Sequence, residues 1–356
     1  MVSELSCWPG IQSRVFQHPA RRPAPRIPAD SLIASLRNQI ADVLRPVLPR
    51  CSQVALLDFP NHTNVGDSAI WAGELAYLDA LECRIVYRCD VQSYSRDALA
   101  KRIGTGTILL QGGGNLGDLW SLHQTFRETV IAAFADNPII QFPQTIYFQD
   151  PANMGRARRI FNAHPNLTLL ARDHRSLEIA RNEFRATSLL CPDMALCLGP
   201  LKRPESPVTD VVCLLRTDVE AATFQPPAEA AGVETTDWLE EPPTVLTRTH
   251  DFLHRQLALY PRRLAPLRRL FEATYTPVAR QRVARGCRLL ARGRVVVTDR
   301  LHGHILALLL GQPHVLLDNS YGKLDTFVHS WTTDCELTYR SDSIEDAVRL
   351  ARALAS

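Results

Sequence analysis

The side chains best placed for chemistry are Arg300, His302 and His304. With Gly303 they open the run LHGHILALLLG, directly after the β-branched stretch Val295 to Thr298. A short β-branched run without alternation reads as a strand buried on both faces, and the following run is apolar almost all round, as a buried helix would be. The cations therefore stand at a helix N-terminus, where free N–H groups and the helix dipole favour an anion. Gly303 lets a ligand approach the backbone. His302 and His304 are two residues apart, about 200° around a helix axis, so only one of them faces such a site. The plain alternative is a capped helix carrying solvated Arg and His.

Three further clusters follow apolar runs in the same way. After Val54 to Phe59 comes PNHTNVGDSA, with His62, Asn64, Gly66 and Asp67 on one loop; standing alone, Asp67 reads as a helix cap. After TILLQ comes GGGNLGD, residues 112–118. Gly112, Gly114 and Gly117 satisfy GxGxxG, but Asp118 would face a pyrophosphate, and the strand that should end in a ribose-binding acid ends in Gln141-Phe142-Pro143-Gln144. A nicotinamide cofactor is disfavoured on both grounds. The triple glycine still implies that something approaches this backbone closely, beside Gly113, Gly114, Asn115 and Asp118. After Leu167 to Ala171 comes Arg172, whose plain reading is a surface ion pair.

All four clusters lie at the carboxyl ends of predicted parallel strands, which is where open α/β sheets bind ligands. The elements needed to hold them there are an α/β set of two Rossmann-like domains. Residues 1–29, rich in Pro and Arg, read as a flexible tail, and residues 30–50 as an N-terminal helix. The first domain spans 51–200, a Pro-rich linker follows, and the second spans 208–340, with a helix at 341–356. Within the second domain, 218–241 holds seven acids and no Lys or Arg, whereas 251–294 holds eleven Arg against two acids. The two stretches form an excursion over 218–292. The basic part reads either as a solvated helix face or as an amphipathic surface for an anionic membrane.

Composition narrows the remaining classes. A net charge of +3 over 356 residues gives no case for nucleic-acid binding. Nine cysteines without zinc spacing read as reduced thiols, and no metal ligand set is evident. No run reaches the length of a membrane span and the N-terminus has no signal-peptide core, so a cytoplasmic protein is expected, with membrane contact only through 251–294.

HTNVGD (62–67), QGGGNLGD (111–118), ARDHRS (171–176), CPDMAL (191–196) and TDRLHGHILALLLGQP with NSYGKLDTF (298–327) resemble, in order, the blocks of the polysaccharide pyruvyl transferase family. The resemblance implies a GT-B-like pair of domains facing across a cleft. It also implies transfer of the enolpyruvyl group of phosphoenolpyruvate onto two hydroxyls of a sugar, lipid-linked in an exopolysaccharide repeat unit, giving a pyruvate ketal. Phosphoenolpyruvate would be a co-substrate, and no cofactor is implied. The family's donor anchors fall on Arg172, His302 and Lys323, with Arg300 beside them. His302 is the candidate acid, and Asp67 or Asp118 the base. His62, Asn64, Gly66, Gly113, Gly114 and Asn115 are left to line the cleft or meet the acceptor. Two other classes fit the same pattern. A GT-B glycosyltransferase would bind a nucleotide sugar, with Asp318 or Asp325 on its ribose, and a noncatalytic scaffold of a polysaccharide-assembly complex would have a blocked cleft.

Overall fold

Short apolar runs without alternation need cover on both faces, and here they build two parallel sheets. The structure, a computed structural model, describes residues 26–217, 233–260, 263–317 and 323–356, with the backbone but not the side chain of Lys323. Most of the 1–29 tail, the acidic stretch up to 232, Arg262 and Asp318 therefore lie outside the described residues.

The first sheet contains β1 (Gln53–Leu57), β2 (Arg84–Cys89), β3 (Thr107–Leu110), β4 (Gly113–Gly117), β5 (Ile139–Tyr147), β6 (Leu167–Ala171) and β7 (Thr187–Leu190). Their order is β2-β1-β3-β5-β6-β7, and β4 lies beside the second half of β5. The second contains β8 (Thr209–Leu214), β9 (Val233–Thr236), β10 (Gly293–Thr298), β11 (His314–Leu316) and β12 (Thr338–Arg340), ordered β12-β11-β10-β8-β9. Each sheet reverses its winding once, between β1 and β3 in the first and between β8 and β10 in the second. Crevices form at the carboxyl ends of strands flanking such reversals. This is the two-domain Rossmann-like architecture that the resemblance implies.

The connections are α1 (Ala29–Leu44), ahead of β1, then α2 (Val65–Ala80), α3 (Arg96–Ile103), α4 (Ser121–Ala133), α5 (Pro151–Ala163) and α6 (His174–Glu183) in the first domain. The second carries α7 (Val245–Leu259), α8 (Arg268–Ala291), α9 (Leu301–Leu309), α10 (Lys323–Trp331) and α11 (Ile344–Ala355). Helix α2 is buried on nearly every side, because it packs on α8 and α9 of the other domain as well as on its own. A single apolar core accordingly crosses the domain boundary, joining Phe59, Ile70 and Trp71 to Tyr275, Val278 and Leu306. An interface that apolar fixes the two sheets relative to each other, where a small polar one would let them move.

The structure corrects two expectations. GGGNLGD is not simply the connection from strand to helix: Gly113 to Gly117 is a strand of its own. Gly117 has φ of 133°, and a Cβ there would meet the Tyr147 carbonyl oxygen at 1.7 Å. The close approach that the glycines demand comes from the neighbouring strand. Nor is the whole of 251–294 a surface face. Helix α8 is an interior brace, with Arg282 donating to Glu241 at 3.0 Å and to the Pro60 carbonyl at 3.1 Å, and Arg285 to the carbonyls of Thr63 and Trp238. Arg268 is buried against the Ser93 carbonyl. These guanidiniums replace the solvent that main-chain carbonyls at strand ends would otherwise need.

Helix α7 adds ionisable ties between the domains. His250 Nε2 lies 2.9 Å from Asn61 Oδ1, and His254 Nε2 lies 3.2 Å from Asp90 Oδ2. The Asp90 carboxylate beside it makes His254 more basic than a free histidine, despite partial burial. A group whose folded pKa is raised contributes stability below its unfolded value, and that contribution is lost as pH rises through the folded value. His254→Gln should therefore be less stable than the parent in chemical denaturation at pH 6, with the gap shrinking by pH 9. A gap independent of pH would mean that the ion pair does no work in holding the domains.

Candidate active site

The loops after β1, β4, β6, β8, β9 and β10 enclose one cavity of about 410 Å³. It lies where the two winding reversals face each other. A hollow at the amino edge of the first sheet, lined from Pro46 to Thr168, is larger but has no ionisable side chain in its wall.

The second domain and the end of β6 supply cations. Arg172 is buried; its Nε donates to Thr145 Oγ1 at 2.8 Å and its Nη1 to Asp193 Oδ2 at 2.9 Å. His302, on the first turn of α9, brings Nε2 to 3.4 Å from that same Asp193 oxygen without hydrogen-bond alignment. Asp193 Oδ1 accepts from the Ala195 N–H at 2.9 Å. Burial alone would raise the Asp193 pKa, but His302 and Arg172 outweigh it and hold the carboxyl well below its usual range. One buried carboxylate thus ties the Arg of one domain to the His of the other. Arg300 also lines the cavity; its Nη2 donates to Asp237 at 2.6 Å and its guanidinium lies over the Trp238 ring.

The first-domain wall has a different character. Asn64 caps α2 by accepting from Gly66 N–H, and its amide donates to Asp67 Oδ2 at 2.8 Å. His62 Nε2 approaches the same Asp67 oxygen at 3.6 Å. Asp67 is therefore not the helix cap, and its carboxylate is turned to the cavity wall. On the same wall, His123 Nδ1 is 2.9 Å from Asp58 Oδ1. Burial lowers the proton affinity of His123, yet the Asp58 bond and charge leave it raised overall. Asp58 is buried with φ of 73°, a left-handed conformation that costs a non-glycine residue about 1–3 kcal/mol and that clusters at functional sites.

Asn115 is oriented by the core. Its Oδ1 accepts from Arg127 Nη2 at 2.7 Å and from Gln144 Nε2 at 2.9 Å, which leaves Nδ2 as a donor on the cavity side. Gln144 reaches it because the β5 ladder shifts register around Pro143.

Among the sequence candidates, Arg172, Arg300, His302, His62, Asn64, Asp67, Gly114 and Asn115 share this cavity. Three do not line it. Gly66 sits behind the wall, where a Cβ would meet the His302 ring at 2.6 Å, so its role is to admit that ring. Gly113 is packed against Ile70 within β4. Asp118 is turned away, accepting from the N–H groups of Gln149 and Asp150 at 2.9 and 2.7 Å, which rules it out as the base facing this cavity. The Lys323 side chain lies outside the described residues. His304 is a core residue, paired with His314 at 2.7 Å and Thr332 at 2.9 Å, and burial keeps it neutral. Sequence reasoning missed the roles of Asp58, His123, Asp193, Trp120 and Trp238. Asp58 carried a signal, as an acid ending an apolar strand, and Asp193 lay inside a quoted block; nothing local marked the other three.

The spacing of these blocks can be compared with known proteins. The family model described as polysaccharide pyruvyl transferase matches residues 64–321, a span that holds every cavity-lining residue except His62 and Thr63. The chain belongs to the polysaccharide pyruvyl transferase family. Pyruvyl transferase 1 of Schizosaccharomyces pombe is 33% identical over 323 residues, covering 84% of this chain and 75% of that one. Putative pyruvyl transferase EpsO of Bacillus subtilis is 33% identical over 303 residues, covering 83% and 90%. Among solved structures, an uncharacterized protein of Klebsiella pneumoniae aligns over 86% of this chain and 99% of its own, with a TM-score of 0.56 and 18% identity, a likeness of fold alone. The protein is thus a transferase of polysaccharide pyruvylation. The ribose-binding acid that a nucleotide-sugar enzyme would need is not met at Asp325, which pairs with Arg340 and His329 away from the cavity.

Gly66→Ala tests the arrangement. The added methyl must push the His302 ring, and a displacement of about 1 Å in a reacting group costs on the order of 100-fold in rate. Turnover should fall by about that factor while the melting temperature moves by only a few degrees. Unchanged turnover would mean that the ring position is immaterial.

Proposed function

We propose that this transferase takes the enolpyruvyl group from phosphoenolpyruvate and forms a cyclic ketal with two hydroxyls of a sugar carried on a lipid-linked repeat unit. The observation that supports this reading best is the division of one cavity into a cationic wall and a wall of carboxylate-backed histidine and amide groups. Phosphoenolpyruvate carries close to three negative charges, and a desolvated cleft must replace its water with fixed donors. Arg172, Arg300 and His302 would meet the carboxylate and phosphate, with Lys323 completing the set.

The chemistry requires a proton on the methylene carbon, which makes C2 electrophilic. His302 is the donor candidate, since its ring lines the cavity between the donor's place and Asp193. A first sugar hydroxyl adds to C2 and gives up its proton, phosphate leaves with its electron pair, and a second hydroxyl closes the ketal as it loses a proton. Asp67 and the His123–Asp58 pair are the bases on the acceptor wall. Asp58 holds the imidazole so that its free Nε2 can accept a hydroxyl proton, the role a buried carboxylate plays behind any catalytic histidine. Asn115 Nδ2 would hold an acceptor oxygen in place, and the Trp120 ring would lie against the sugar face.

The direct test incubates the protein with phosphoenolpyruvate and a panel of lipid-linked or nitrophenyl sugars, and follows phosphate release with an acid-labile mass gain on the sugar. His302→Gln and Arg172→Lys should lose about 2–4 kcal/mol of transition-state stabilisation, a fall of roughly 30-fold to 1000-fold in kcat/KM for phosphoenolpyruvate. His123→Gln should lower kcat and leave donor affinity intact, and Asp118→Asn should be close to the parent. Phosphate release without a modified sugar, or full activity in His302→Gln, would contradict the reading.

A further inference from the structure

We propose that the end of α7 and the start of α8, with residues 263–267 before it, dock this protein on an anionic lipid bilayer. From Phe252 to Phe271 the sequence contains no Asp or Glu. Phe252, Leu259, Tyr260, Leu267 and Leu270 are between 44% and 67% exposed, half of all the large apolar side chains left exposed among the described residues. Arg255, Arg263 and Arg269 are exposed between them, and Arg263 and Arg269 have no ion pair or hydrogen bond among the described residues. Water-facing leucines cost free energy unless something covers them, and arginines spaced among them specify a cover that is apolar within and negative at its surface.

A second feature lies beside this stretch. A hollow between α3 and the start of α8 is lined by Arg84, Arg88, Lys101, Arg102 and Arg269. Its one acid, Glu272, is already held by Arg102 at 2.7 Å. Arg88 Nε is buried there without a hydrogen-bond partner. A lipid phosphate at the bilayer surface would satisfy these donors while the leucines enter the acyl boundary, and no single soluble anion accounts for both. Charged and exposed apolar side chains alternate along one stretch of chain, 252–271, and an acidic protein partner would not need apolar side chains dispersed singly among the arginines. Helix α8 then connects the docked stretch to the active site. Arg282, which grips the loop entering the cavity, lies thirteen residues beyond Arg269, about 20 Å along the helix.

Vesicle binding tests this independently of the reaction. The full chain is sedimented with vesicles of phosphatidylcholine alone, or mixed with phosphatidylglycerol, at low and high salt. Binding should require the anionic lipid and weaken with salt. Arg263→Glu with Arg269→Glu should lower the partition constant by at least 25-fold, about five-fold for each arginine near the surface. Leu259→Gln with Leu270→Gln, which leaves the charge unchanged, should lower it by about ten-fold, and both variants should melt like the parent because all four residues are exposed. Equal binding to neutral vesicles, or no effect of the arginine changes, would overturn the proposal. So would full binding by the leucine variant, since the surface would then be one for polyanions or an acidic protein.

Discussion

The carboxylate of Asp193 is the constraint on which the site depends. An isolated buried carboxylate would take up a proton, and one with a single cation would still pay heavily for lost hydration. Asp193 instead has Arg172 from its own domain, His302 from the other and the Ala195 amide below it. The same contacts that keep it ionised also fix where the guanidinium and the imidazole point. Removing the carboxylate would leave the Arg172 guanidinium buried without its ion-pair partner, so the charge that positions the site also makes it tolerable.

That anchor works only because the domains cannot separate. The Asp193–His302 distance crosses the boundary between the sheets, and the shared core around α2 and α8 holds it. Sequence order alone would put Asp58, Arg172, Arg216 and Arg300 far apart; the two winding reversals bring the ends of β1, β8 and β10 to one crevice, and Arg172 reaches it from β6, two strands beyond β3. Their facing geometry also accounts for the unequal walls. The first domain contributes oriented hydrogen-bonding groups, through the Arg127–Gln144–Asn115 network and the Asp58–His123 pair, together with Arg172 at the end of β6, while the second contributes Arg216 and Arg300.

Much of this was legible in the sequence, because buried parallel strands advertise themselves as β-branched runs and their carboxyl ends locate loops. The cluster at Arg300 to His304 could be assigned to a helix N-terminus, and helical geometry separates His302 from His304, as the structure bears out: one faces the cavity and the other the core. What failed has a physical reason. The glycines at 112–117 demanded a close neighbour, but a neighbour can be a strand as easily as a ligand, and here it is the Tyr147 carbonyl. Asp118 looked like a free acid because the two amides that occupy it come from a segment some thirty residues on. The arginines of α8 looked like a surface face because nothing local records the carbonyls of Pro60, Thr63 and Trp238, which arrive from elsewhere in the chain. His123 and Trp238 gained their places from tertiary packing alone.

The central claim is that Arg172 and His302, held by Asp193, form the binding site for phosphoenolpyruvate. Titration calorimetry of phosphoenolpyruvate and, separately, of a nucleotide sugar into the parent and into His302→Gln tests it most directly. The account predicts saturable binding of phosphoenolpyruvate alone, weakened at least ten-fold in the variant, the loss of about 1.4 kcal/mol expected when one charge-assisted contact goes. Undiminished phosphoenolpyruvate binding in the variant, or displacement of phosphoenolpyruvate by the nucleotide sugar, would contradict it.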